Sequence, residues 1–223
     1  MHLLVTWNTS ARSLDSEFLS ALLAGNRKRC AEIVEEYRTE YPGVIDLYEK
    51  LFKPALYEVG SLWERNLISV ATEHLATALV GALLNDLYDQ ILPEAYNGRT
   101  VVASCVEGEA HQVGIKMVAD VFEMHGWRSF FLGADVPTNE LLTFAGEVEA
   151  DLIALSLSVY FHVPKLETML KLLRRAFPDL PIVIGGQAFR HGGGELLDRY
   201  PNTAYLPDLS AVEDFIRASW SDT

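Results

Sequence analysis

The chain has 223 residues, 49% of them hydrophobic, enough to bury a sizeable core as one large domain or two small ones. Its formal net charge of −13 opposes direct binding of a nucleic-acid backbone, which is gripped chiefly by Lys and Arg releasing counterions. Its 2 cysteines, Cys30 and Cys105, lie far apart and encode neither a disulfide framework nor a cysteine-rich zinc site.

Met1–Trp7 has no basic stretch followed by a long apolar one, and no run elsewhere approaches the ~18 apolar residues of a membrane span. The expected location is therefore the cytoplasm, with no membrane partner. From about Ser13 to Leu92 apolar residues recur three and four apart. Leu14, Phe18, Leu19 and Leu22 form one stripe, Cys30, Ile33, Val34 and Tyr37 a second, and Leu47, Leu51, Leu56 and Val59 a third. Asn26 starts the second helix after the stop at Gly25. Tyr41-Pro42-Gly43 breaks the chain before the third, and Asn66 turns it into a fourth that runs toward Leu92-Pro93. Four antiparallel helices over 1–95 make a small bundle, whose centre is a place to build ligand sites. Arg27-Lys28-Arg29 reads as a solvated helix face.

Glu94-Ala95-Tyr96-Asn97-Gly98 reads as a linker, and over 96–223 the pattern becomes short apolar runs alternating with amphipathic segments. Strands are expected at 101–106, 129–132, 152–159, 182–184 and 204–206. Helices are expected near 111–125, 138–148, 163–177, 194–200 and 210–219. Right-handed crossovers then give a parallel sheet covered on both faces, and the flavodoxin-like strand order is the economical one. Its ligand edge lies where the strands end. There the loop after strand one supplies Glu109 and His111, strand three supplies Ser156 and Ser158, and strand four supplies Gly185-Gly186. A histidine leaving a buried strand in this way can hold a metal. Cys105 reads as an inert buried thiol, His125 as a helix-end residue, and Phe130, Phe131 and Tyr160 as core aromatics, with Tyr160 and Phe161 also placed to flank a ligand.

The motifs Glu109-Ala110-His111-Gln112-Val113-Gly114, Ser156-Leu157-Ser158 and Gly185-Gly186 are spaced so that 41 residues separate Gly114 from Ser156 and 28 separate Ser156 from Gly185. Together with the turn Gly133-Ala134-Asp135-Val136-Pro137, they resemble the cobalamin-binding domain family. The signature of that family is Asp-x-His-x-x-Gly, Ser-x-Leu and Gly-Gly at similar intervals. The resemblance implies that His111 replaces the cofactor's own dimethylbenzimidazole base on cobalt and that Glu109 orients the imidazole. It further implies that the displaced nucleotide tail enters a slot where Gly114, Gly185 and Gly186 leave room and Ser156 offers a hydrogen bond. Glu109 stands where many members have Asp, and His162 where methyl-transferring members often have Ser.

Trp63, followed after nine residues by Glu73-His74, is similar to the helical cap of adenosylcobalamin-dependent, light-responsive regulators of the MerR type and their stand-alone relatives. In those proteins the Trp covers the upper face of the corrin, light breaks the cobalt–carbon bond and the cap moves. The resemblance implies cobalamin bound between bundle and α/β domain, adenosylcobalamin favoured and methylcobalamin the alternative. It implies a binding and photosensory module rather than an enzyme, with a protein partner or self-association as its output. The neighbour of Trp63 is Glu64 rather than a His that could capture exposed cobalt, which leaves His74 as the candidate substitute. Only about twelve residues precede the first stripe, so the DNA-binding segment of the regulators is expected to be missing. The rival reading is a corrinoid protein that carries methyl groups between methyltransferases.

Overall fold

The computed structural model describes residues 14–192 and 194–220. Met1–Trp7, read above for targeting signals, lies outside the described residues. The chain divides into two compact units, one ending at Asn85 and the other beginning at Asp86.

The first unit is helical: α1 (Leu14–Leu23), α2 (Arg27–Glu40), α3 (Val44–Leu47), a π turn (Tyr48–Phe52), α4 (Lys53–Glu64) and α5 (Val70–Asp86). Asn26 caps α2 by accepting from the Arg29 amide at 3.1 Å. The whole second stripe, Cys30, Ile33, Val34 and Tyr37, is buried. The third expected helix is one rod interrupted by the π turn. Pro54 has no N–H to donate, and in the turn before it the Lys53 amide reaches back five residues to the Tyr48 carbonyl. The extra residue moves the buried stripe, so Phe52, Ala55, Val59 and Leu62 face the core while Leu56 is only partly covered. In the Arg27-Lys28-Arg29 cluster, Arg29 is neutralised by Glu17 and Glu36, each at 2.7 Å.

The second unit opens with α6 (Tyr88–Ile91), which packs on α7 (Val113–Met124). It continues through β1 (Thr100–Cys105), β2 (Arg128–Gly133), α8 (Thr138–Glu147), β3 (Leu152–Ser156), α9 (Val163–Ala176), β4 (Ile182–Gly185), β5 (Thr203–Tyr205) and α10 (Leu209–Trp220). The sheet is parallel throughout, in the order β2-β1-β3-β4-β5, which is the flavodoxin-like order. Every residue of β1 and β3 is buried, as strands covered on both faces require. The fourth helical segment of this half is a 3₁₀ turn, Gly194–Arg199. Among the described residues no helix is long and apolar enough to cross a membrane.

Two expectations need correction. Phe131 and Tyr160, read as core, are exposed: β2 is an edge strand, and Tyr160 lies beyond β3 in the 3₁₀ turn Tyr160–His162. Strand three ends at Ser156, not Val159, because the Ser158 and Val159 amides that would continue its ladder are turned elsewhere.

Trp127 anchors the far end of α7, the helix that begins at the His111 loop. It is fully buried, edge-on to Phe122 with ring centroids 5.2 Å apart, and the Arg99 guanidinium lies over its ring. Trp127→Ala is expected to lower the unfolding free energy of the cofactor-free protein by about 3–5 kcal/mol, read from a urea titration.

Candidate functional site

Cys105, Ser156 and Gly185 are mutual register partners, so β1, β3 and β4 end in one row. The loop between β1 and α7 rises from that row beside the switch point between β1 and β3, where open α/β sheets bind ligands. A short turn, closed by the Glu109 amide on the Val106 carbonyl at 2.9 Å, brings the Glu109 side chain back beneath the loop. Its carboxylate is fully buried, whereas the side chain of His111 is half exposed.

Oε1 of Glu109 accepts from His111 Nδ1 and, at 3.1 Å, from the His111 amide. Oε2 accepts from the Ser158 and Val159 amides at 3.0 and 2.9 Å. Burial alone would raise this carboxyl. The hydrogen bonds from the His111 ring and from the Val159 and His111 amides outweigh it and hold the group at about 2. Ser158 contributes its backbone amide to this carboxylate. Nδ1 of His162 lies 3.5 Å from Oε2, buried and without a hydrogen-bond partner, so a second imidazole stands beside the same carboxylate.

The glycines divide. A Cβ on Gly114 meets nothing within 4 Å, so this helix start is open. Gly186, at φ +111°, would place a Cβ 2.1 Å from the Leu157 carbonyl, and Gly185 one 3.0 Å from the Leu206 carbonyl. The protein's own backbone requires glycine at 186 and leaves little room at 185. Gln112 and Ser156 also belong here, Gln112 accepting from the Ala134 amide at 3.2 Å and Ser156 buried at the strand end. Val113 opens α7. Cys105 is buried, and burial together with the Glu109 charge pushes its thiol up to about 12, in keeping with an inert role.

Sequence reasoning named the turn at 133–137 but gave it no task, and it missed Glu107 and Thr138. Glu107 accepts from the Thr138 hydroxyl at 2.6 Å and amide at 3.0 Å, which lowers its carboxyl below the usual range. Nothing distinguishes Glu107 in sequence from a solvated acid.

Trp63, Glu73 and His74 lie in the helical unit. The turn between α4 and α5, shaped by Asn66 at φ +56°, has Trp63 before it and Glu73-His74 one helical turn after it. His74 Nδ1 pairs with Glu73 at 2.6 Å, and Thr77 donates to the other Glu73 oxygen at 2.9 Å. Trp63, Leu67 and Val70 are exposed, an apolar patch around the turn.

The donor set bears on what His111 can hold. Among the described residues no group of three or more His, Cys, Asp or Glu could cage a bare ion. A single imidazole with Nδ1 tied to a carboxylate fits instead a metal whose other positions are filled by its own macrocycle.

Residues 99–214 match the family described as B12 binding domain, and residues 14–88 match a second family of that description. The HTH-type transcriptional repressor CarH of Myxococcus xanthus is 29% identical over 187 residues, which make up 83% of this chain and 59% of the repressor. Dimethylamine corrinoid protein 1 of Methanosarcina acetivorans is 26% identical over 182 residues, 79% of this chain and 84% of that protein. The chain thus spans well under the full length of the repressor. The solved monomethylamine corrinoid protein of Methanosarcina barkeri superposes with a TM-score of 0.77 over 92% of this chain and 98% of that one, at 14% identity, a likeness of fold. With its sheet-edge histidine and both matched segments, the chain belongs to the B12 binding domain family and is a cobalamin-binding protein.

Proposed function

We propose that the chain is a light- or ligand-responsive regulatory module in which His111 binds cobalt from below through Nε2. In this reading Trp63, with Glu73 and His74, contacts the upper axial ligand, adenosyl in preference to methyl. The Glu109–His111 couple, a half-exposed imidazole whose Nδ1 is tied to a buried carboxylate, supports cobalt ligation. The observation that carries the regulatory reading over the rival is the exposed Trp63 beside Glu73 and His74 in the helical unit. Bound alkylcobalamin supplies a cobalt–carbon bond that light can break.

The chain's own residues do the rest. Glu109 takes the Nδ1 proton as a hydrogen bond, which fixes the tautomer, aims the Nε2 lone pair outward and raises its basicity. Gly114 leaves space for the nucleotide tail, and Ser156 offers it a hydroxyl. Trp63 is 43% exposed, an uncommon cost for so large a ring unless something apolar covers it. The likeness to a transcriptional repressor supports a regulatory output, and the charge of −13 favours a protein partner or self-association over direct contact with nucleic acid. Such a module switches only if its two states bind that partner differently.

The rival reading, a methyl carrier serving methyltransferases, is favoured by the match across 84% of a dimethylamine corrinoid protein. The Trp63 and Glu73-His74 signature weighs against it, as does His162 in place of Ser. Methyl transfer by the reduced holoprotein separates the two: turnover with a methylamine and its methyltransferase would establish the carrier.

The dark-purified holoprotein should be red, and illumination should change its visible spectrum. His111→Ala should abolish the base-off, histidine-bound spectrum, and Trp63→Ala should alter the photolysis rate with less loss of binding. An unchanged spectrum under light, with alkylcobalamin verified in the sample, rules out the photoreceptor reading.

Glu109 gives a second expectation. Its folded carboxyl titrates at about 2 against an ordinary 4.5, so its stabilising contribution is complete above the ordinary value and is lost as pH falls from about 4.5 toward 2. The cofactor-free Glu109→Gln protein should therefore show a flatter stability profile than the parent across that window. Parallel urea midpoints for the two proteins between those pH values would contradict it.

A further inference from the structure

The loop that carries His111 is gripped from the β2–α8 side as well as from β3. Five hydrogen bonds, over four residue pairs, cross from residues 107–112 to the turn at 134–138. Glu107 accepts from Thr138, at 2.6 Å from its hydroxyl and 3.0 Å from its amide. The Gly108 amide donates to Asp135 Oδ1 at 3.1 Å, and the Asp135 amide donates to the Glu109 carbonyl at 3.2 Å. Gln112 accepts from the Ala134 amide at 3.2 Å. Bonds thus run both ways along the loop and bracket the residue that orients the imidazole. Two backbones adopt the left-handed region to make them, Gly108 at φ +82° and Asp135 at φ +53°. Glu107 is itself partly exposed, but the threonine it engages is only 6% exposed, so the hydrogen bond is part-buried.

We infer that the Ala134–Thr138 turn positions the axial histidine: it holds the backbone of 107–109 in the one arrangement that points Glu109 at His111. The inference rests on the reading that His111 is the lower ligand. An axial bond tolerates roughly half an ångström of misplacement, and a loop released from its struts regains backbone freedom that ligation must then remove. If the turn only capped α8, losing a strut would lower stability and leave the axial equilibrium alone.

The test uses protein labelled with ¹⁵N-histidine and loaded with cob(II)alamin, in which electron paramagnetic resonance distinguishes a ¹⁵N axial ligand from added ¹⁴N imidazole. Thr138→Val removes the hydroxyl donor without changing shape. The imidazole concentration that displaces half of the histidine should fall about tenfold, the effect of one charge-assisted hydrogen bond. Thr138→Ser should restore the parent value. In the cofactor-free Thr138→Val protein, amide exchange at Gly108 and Glu109 should speed up while α10 is unaffected. An unchanged displacement midpoint overturns the inference. Should Thr138→Val fail to fold, Asp135→Gly, at an exposed position whose φ glycine accepts, reads the same midpoint. A parent protein with no ¹⁵N signal would instead remove the ligand assignment of His111 itself, a separate failure.

Discussion

A buried carboxylate is the constraint around which the α/β unit is arranged. An ionised group with no exposure is tolerable only if hydrogen bonds replace the water it has lost. Glu109 meets that demand with donors from two loops: the ring and amide of His111 on one oxygen, the amides of Ser158 and Val159 on the other. The consequences run in both directions. Strand β3 must stop at Ser156 so that the next two amides can turn inward, and the β1–α7 loop must fold back over its own strand end. Cys105, buried and beside this negative charge, stays a thiol. Removing the carboxylate would leave the imidazole without its partner and three backbone amides without their acceptor, so orientation of the ring and closure of the sheet edge depend on the same group.

Much of this fold is legible in the sequence because burial dictates period. The continuous apolar runs of β1 and β3 can only be strands covered on both faces, and five strand–helix alternations leave few topologies. The errors have physical causes that pattern does not carry. Pro54 converts a regular helix into one with a π turn and thereby moves Leu56 off the buried stripe, a change that no count of threes and fours registers. Phe131 sits in an apolar run yet faces outward, because edge position is a property of strand order. In the site, Glu109 and His111 stand out because an acid and an imidazole two residues apart after a buried strand are chemically conspicuous. Their supports at 158 and 159 are backbone amides, which every residue but proline has, so the sequence contains no mark of them.

The paired glycines at the end of β4 have an obligation internal to the fold beside the ligand-accommodating role expected of them. Gly185 and Gly186 fall on the expected edge, and a ligand-accommodating role was their natural reading. The close approach of the Leu157 carbonyl to Gly186 supplies an obligation internal to the protein: the chain must pass over the end of β3 at a distance and a φ that a Cβ forbids. Leu157 itself is tied there, its amide on the Gly185 carbonyl at 3.0 Å and its carbonyl on the Ala188 amide at 3.2 Å. Since Ser158 and Val159 follow directly, this tight crossing also fixes the two amides that hold Glu109. Gly114, by contrast, has open space before it, and is the glycine whose lack of a side chain the fold itself does not demand.

A fold shared at 14% identity with a monomethylamine corrinoid protein, and a sequence likeness to a repressor, mean that function lies in residues added to a common frame. The Glu109–His111 couple suits either reading, because orienting an axial imidazole is useful whether the opposite ligand is to be transferred or released. Selection between those outcomes has to come from groups that meet the upper ligand. A carrier needs that ligand reachable by a partner's substrate. A sensor needs it enclosed until a signal arrives. Trp63, Leu67 and Val70 offer apolar surface, and Glu73 is engaged by His74 Nδ1 and the Thr77 hydroxyl. Such a surface would suit covering an organic ligand better than activating one, which is why the regulatory reading is proposed before the carrier.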